Sequence, residues 1–216
     1  MTAKFFTSLN FLEKELSQLT ILLRRNPSVC RDFDFSKVRG LTYFDYWASY
    51  YRENWYDFQL KDLSLLSFKE NESKGVVFIY LGCPVRCPIT EDEFYSTEEL
   101  YASGITYGDY ILSCPRVENV SYLRYDNAVA MYNTGLHPAN HFHFGYDQHN
   151  RVGCSYHMDA VAFVAFILRQ YYPEEWNYVL SHKDTFSTLY GYKSKVESIE
   201  SKYYKDYDKS HDLYLK

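Results

Sequence analysis

All seven histidines of this 216-residue chain lie beyond residue 136, and five of them, His137, His141, His143, His149 and His157, fall within 21 residues. Imidazole is the side chain whose proton affinity lies nearest neutral pH, and it is also a common ligand of divalent transition metals. In the run His141-Phe142-His143-Phe144-Gly145, the two-residue period of a strand puts both imidazoles on one face and both phenylalanines on the other. The phenylalanines anchor such a strand, and the histidines look into a shared space. Three readings of the pair stay open from the residues alone. His141 and His143 act as general acid and base without a metal; they bind a metal with a third ligand drawn from Asp126, His137 or His157; or they are hydrogen-bonded structural histidines. The first is the working expectation, with His141, His143 and Asp126 as the catalytic group, no metal and no cofactor.

Arg124 and Asp126 become same-face neighbours if residues 120–126 form a strand. Arg124 then offers a planar cation to a phosphate or other anion, and Asp126 orients a histidine. The plainer outcome is an ion pair between the two. Arg151, just after the cluster, is a second anion clamp by type, and His137 is a further substrate-binding candidate.

A sheet and its covering helices must position these groups. Phe5, Leu9, Leu12, Leu16, Leu19 and Leu23 recur at spacings of three and four, which predicts an amphipathic helix over 5–23, stopped by Asn26-Pro27. Aromatic and β-branched runs over 55–60, 63–68 and 76–81 predict an antiparallel meander, with a hairpin at 71–75 and a break at Cys83-Pro84 and Cys87-Pro88. Thr90 and Glu93 have the spacing of a capping box that opens a short helix over 90–100. A strand over 120–126, a loop through Gly135 to Pro138 and a strand over 141–144 follow. The apolar stretch 158–172 predicts a buried helix, and Pro173 with Glu174 and Glu175 starts another. The expected class is α+β: an N-terminal helix, a central antiparallel sheet and C-terminal helices, forming one domain over 1–190. A charged, Tyr-rich tail or helix over 191–216 completes the chain.

Composition narrows the functions. The net charge of −5 gives no global pull toward nucleic acid or an anionic membrane. Residues 87–115 carry six acidic side chains, Glu91, Asp92, Glu93, Glu98, Glu99 and Asp109, and no Lys or Arg, so that stretch is expected to face away from any polyanion. Five irregularly spaced cysteines speak against a secreted disulfide framework, and the Cys83/Cys87 pair lacks the second pair of a structural zinc site. Glu13, Lys14 and Glu15 interrupt what would otherwise be a signal segment, and no apolar run approaches the length of a membrane span. A cytoplasmic protein with no membrane partner is expected. Tyr and Phe supply 39 of the residues, a surplus that suits an interface or a pocket rim.

The run Arg124-Tyr125-Asp126-Asn127-Ala128, then His137-Pro138, then His141-Phe142-His143-Phe144-Gly145 resembles the signature of an uncharacterised bacterial family. It is distantly similar to TumE-type toxins of toxin-antitoxin systems. The uncharacterised family implies a following arginine, here Arg151, and an apolar helix ending near a tryptophan, here Trp176. The toxin similarity implies an RNA-directed or nucleotide-directed activity in a bacterial conflict setting, with Arg124, Asp126, His141 and His143 as the matching positions. Val129 and Ala130 stand where the toxin-like pattern tends to carry proline and histidine.

Two functions compete. One is a histidine-dependent nuclease or phosphodiester hydrolase of a toxin-antitoxin or phage-defence system, acting on RNA or a nucleotide. The other is a non-enzymatic subunit or neutralising partner in such a system, bound to an antitoxin or another defence component.

Overall fold

A computed structural model describes residues 2–26, 40–71, 75–146, 150–194, 196–206 and 208. Pro27, the hairpin residues 72–74 and His149 lie outside them.

The first helix, α1 (Ala3–Gln18), is capped by the Thr2 side chain, which accepts from Phe5 N, and it buries Phe5, Leu9, Leu12 and Leu16. It ends five residues before the predicted end at Leu23. Thr20 takes a positive φ of 59°, a conformation that breaks a right-handed helix, and residues Leu22–Arg25 run on as strand β1. Leu23, assigned by spacing to the helix face, is instead exposed on that strand. A helix that the apolar pattern did not predict, α2 (Tyr43–Arg52), follows; its cap is Thr42, which accepts from Asp45 N.

The meander then appears as β2 (Phe58–Leu60), β3 (Leu65–Asn71) and β4 (Gly75–Leu81). Gly75 is required at the turn: its φ is +87°, and a Cβ there would lie 1.9 Å from Asn127 O. After β4 come α3 (Glu91–Ser96), α4 (Glu98–Ala102) and α5 (Tyr107–Ser113). The capping box predicted at Thr90 and Glu93 is formed, and the predicted helix divides in two at Thr97. The sheet resumes with β5 (Tyr122–Asn127), β6 (Asn140–Phe144) and β7 (Val152–Gly153). All seven strands pair antiparallel with their sequence neighbours, in the order β1 to β7.

Strand β8 (Tyr156–His157) leads into α6 (Ala160–Tyr171), α7 (Pro173–Ser181), α8 (Ser187–Tyr190) and a last strand, β9 (Glu197–Ser198), which pairs with β8. Beyond residue 190, Tyr192 joins the main core and Asp208 accepts a hydrogen bond from Tyr132 Oη. The class is α+β as expected. No helix among the described residues is long and apolar enough to cross a membrane.

The sheet is covered on both faces. On one side Phe68, Phe78, Tyr125 and Phe142 pack against α1 and α6. Phe163 of α6 lies within 6.1 Å of Phe68 and 5.7 Å of Phe78, centroid to centroid. Each such fully buried side chain contributes about 1.5–3 kcal/mol. On the other side Leu65, Ile79, Leu81 and Tyr122 pack against Tyr46, Trp47 and Tyr50 of α2 and against Phe94 and Ile111 of the α3–α5 group. Asp126, His141 and His143 lie on that second side as well, and all three are buried.

Candidate functional site

Strand register assembles the site. In the β5/β6 pair, Asp126 stands opposite His141 and Arg124 opposite His143. Directly opposed residues have Cβ atoms about 4.5–5.5 Å apart, so four polar side chains share one patch of the sheet face. The alternation read from His141-Phe142-His143-Phe144 holds: Phe142 is buried in the α1/α6 core, and both histidines point the other way.

The reactive atoms converge closely. His141 Nε2 and His143 Nε2 are 3.1 Å apart, and each is 3.5 Å from Asp126 Oδ2. The other carboxylate oxygen, Oδ1, accepts from Arg124 Nε at 2.7 Å, so the arginine turns Oδ2 inward. His141 Nδ1 lies 2.9 Å from Pro138 O. A carbonyl only accepts, so this nitrogen carries the proton and, in the neutral ring, Nε2 keeps a bare lone pair toward the centre. Asp126, His141 and His143 are 6%, 1% and 3% exposed.

Burial by itself would raise the Asp126 pKa, but the His141 and His143 rings beside Oδ2 and the charge and hydrogen bond of Arg124 outweigh it and hold the carboxyl well below the usual range. Arg124 is held above its ordinary value, because the Asp126 carboxylate outweighs the burial that opposes its charge.

The remaining sequence candidates divide. The ring of His137 stacks edge-on against His141 at 4.9 Å, and its buried Nδ1 makes no hydrogen bond among the described residues. Burial, then the charges of His141 and Arg151, lower its pKa. Arg151 is exposed, just ahead of β7, which pairs with β6 at His141. His157 does not belong to the site. Its Nδ1 accepts from Asn127 Nδ2 at 2.8 Å and Asn140 Nδ2 at 3.2 Å, and both asparagines alternate with Asp126 and His141 to the opposite face of the sheet. As a third metal ligand it is excluded by that placement. The cysteines offer no alternative centre: among the described residues, Asp126, His141 and His143 form the one group of three that converges closely enough to hold an ion.

Sequence reasoning missed Lys69. The register row Lys69, Val77, Asp126, His141 crosses three strand pairings on the same face, which places Lys69 about 10 Å from Asp126, two strands away. Burial and, to a lesser degree, Arg124 push its pKa down to about 7 against the pull of Asp57. Between that value and the unfolded value near 10.5 the unfolded chain binds the extra proton, so stability rises with pH through the window. Lys69→Met should therefore stabilise the protein by about 2 kcal/mol at pH 7 and by progressively less toward pH 10. Urea melts of both forms at the two pH values check this; parallel curves with no offset would contradict it.

A family model described as an uncharacterized conserved protein, DUF2290, matches residues 16–209. The chain belongs to the DUF2290 family. The match takes in the whole sheet from β1 to β7 and with it the full Asp126–His141–His143 centre, so the site lies inside the DUF2290 unit. No curated protein and no solved structure matches the chain.

Proposed function

We propose that this DUF2290 chain is a histidine-dependent phosphodiester hydrolase acting on RNA or a nucleotide, in a cytoplasmic bacterial conflict system of the toxin-antitoxin or phage-defence kind. The observation that carries this reading is the convergence of one carboxylate oxygen and two imidazole nitrogens on a single buried point beside a guanidinium. Hydrolysis of a phosphodiester needs a group that takes the proton of the attacking water or hydroxyl, and positive charge where the phosphoryl oxygens gain electrons. The centre supplies the first. Arg124, with Lys69 on the same sheet face and Arg151 at the edge, supplies the second. The similarity to TumE-type toxins in Arg124, Asp126, His141 and His143 supports the same substrate class. Because the centre is buried, a strand end or a nucleotide suits it better than a duplex, in keeping with a chain whose net charge is negative.

The test is growth on induced expression of wild type beside the His141→Ala, His143→Ala double variant, with total RNA examined from each. Arrested growth with RNA breakdown in wild type alone is expected. Equal growth with intact RNA in both would remove the hydrolase reading.

A second reading, a binding subunit facing an antitoxin or defence-complex partner, has its own observation. Met131 and Leu136, five residues apart in the loop between β5 and β6, are 65% and 73% exposed, and a shared apolar patch there would suit contact with another protein. Under that reading the double histidine variant keeps full biological activity, and Met131→Ser with Leu136→Ser abolishes it.

A further inference from the structure

We infer that Asp126, His141 and His143 form a binding site for one first-row transition-metal dication of the Zn2+ class, with the cation's remaining position open to water or a phosphoryl oxygen. This deepens the hydrolase reading by naming what activates the nucleophile, but the site stands on its own geometry.

The triangle of donor atoms has edges of 3.1, 3.5 and 3.5 Å. Zinc bonds to imidazole nitrogen and carboxylate oxygen are about 2.0–2.2 Å long, so two ligands of a tetrahedral ion lie about 3.3 Å apart. A cation about 2.05 Å from all three atoms would sit roughly 0.6 Å out of their plane, against about 0.7 Å in a regular tetrahedron. The donor separations need no change to reach that arrangement.

The supporting contacts of two of the three donors match as well, while the buried Nδ1 of His143 makes no hydrogen bond among the described residues. Metal-bound histidines commonly donate their second ring nitrogen to a carbonyl or carboxylate, which fixes the tautomer. His141 does this through Nδ1 to Pro138 O. Ligating carboxylates are themselves held by hydrogen bonds, as Arg124 holds Asp126 Oδ1. Two imidazoles and a carboxylate are a donor set of intermediate softness that suits zinc and its neighbours over magnesium or calcium. Three protein ligands with one open position is the pattern of catalytic zinc sites, whereas structural ones use four. A proton-shuttling pair explains less. It gives no reason for the Nε2 atoms of His141 and His143 to face each other across 3.1 Å with a carboxylate oxygen over the same point, since each would serve better aimed at substrate.

In the hydrolase, Asp126, His141 and His143 would hold the cation, whose charge would ease the loss of a proton from water to solvent. The hydroxide would form the new P–O bond as the P–O bond to the leaving group breaks, and the departing oxygen would take a proton from solvent.

The experiment is a titration of chelator-stripped, dialysed full-length protein with Zn2+ by calorimetry, and in parallel with Co2+ followed by visible absorption. One equivalent of zinc per chain and the intense visible bands of tetrahedral cobalt are expected. Asp126→Asn and His143→Ala should each bind zinc at least about a hundredfold more weakly, while His157→Ala binds as wild type does. Uptake below about a tenth of an equivalent by folded wild type would overturn the inference, as would stoichiometric binding unaltered in both Asp126→Asn and His143→Ala. Zinc uptake without RNA cleavage would uphold the site and overturn the hydrolase reading. Cleavage by stripped protein that takes up no zinc would do the reverse.

Discussion

Purified His143→Ala should cleave a fluorescent single-stranded RNA about a thousandfold more slowly than wild type, while His157→Ala stays within about twofold. Both substitutions remove one imidazole from the same 21-residue cluster, and they differ in the face of the sheet they act on. His143 places Nε2 in the three-atom centre, and alanine takes a third of its donor set away. His157 is bound to Asn127 and Asn140 on the opposite face, so its loss costs hydrogen bonds and leaves the centre as it was. A His143→Ala rate within tenfold of wild type would show that the centre is not where the chemistry happens. A deep loss in His157→Ala, with an unchanged circular dichroism spectrum, would show that the two faces work as a unit.

The second large effect falls on stability. Asp126→Ala should destabilise the folded protein by about 3 kcal/mol, and Asp126→Asn by about 1 kcal/mol. The Arg124 side chain is 18% exposed and its Nε donates to the Asp126 carboxylate. Alanine leaves a largely buried guanidinium without that acceptor, and removing one member of a buried pair is far more costly than the pair is worth. Asparagine keeps the shape and an oxygen for Arg124 Nε. Chemical denaturation of the three metal-stripped proteins at neutral pH checks the order. Equal stability of Asp126→Ala and Asp126→Asn would mean that Arg124 does not depend on this partner.

The centre was more legible in the sequence than the elements around it. Two-residue alternation over His141-Phe142-His143-Phe144 and over Arg124-Tyr125-Asp126 required only that each segment be a strand, because side-chain direction in a strand follows from parity alone. Whether the two strands are neighbours, and in which register, depends on pairing, and nothing local encodes that. For the same reason Lys69 escaped: it reaches the site face through two further pairings, and its own strand reads as ordinary polar alternation. His157 misled in the opposite sense, since closeness in sequence says nothing about which side of a sheet a residue meets. The overlong first helix had a different cause. Leu22 and Leu23 extend an apolar spacing of three and four, and only the positive φ at Thr20 reveals that the chain has already turned. The α2 helix was hidden by its composition: Tyr43, Phe44, Tyr46, Trp47, Tyr50 and Tyr51 have strand-like propensities, which packing of Tyr46, Trp47 and Tyr50 against the sheet overrides.

The chain departs from the sheet at Gly82 and comes back at Ser121, and those two residues touch: Gly82 N donates to Ser121 O at 2.8 Å, and a Cβ on the glycine would meet the same oxygen at 2.8 Å. Topologically, the acidic α3–α5 group is therefore an insert spliced into a single β-hairpin, and Arg124, Asp126, His141 and His143 all lie outside it. Such an insert can change length at little entropic cost, because closing a longer loop between fixed ends grows only logarithmically more expensive. Provided that replacements for Phe94 and Ile111 still roof the sheet, this fold tolerates a different outer surface on the lobe while Asp126, His141 and His143 keep their geometry. Whatever the lobe meets can thus change without touching the carboxylate and the two imidazoles.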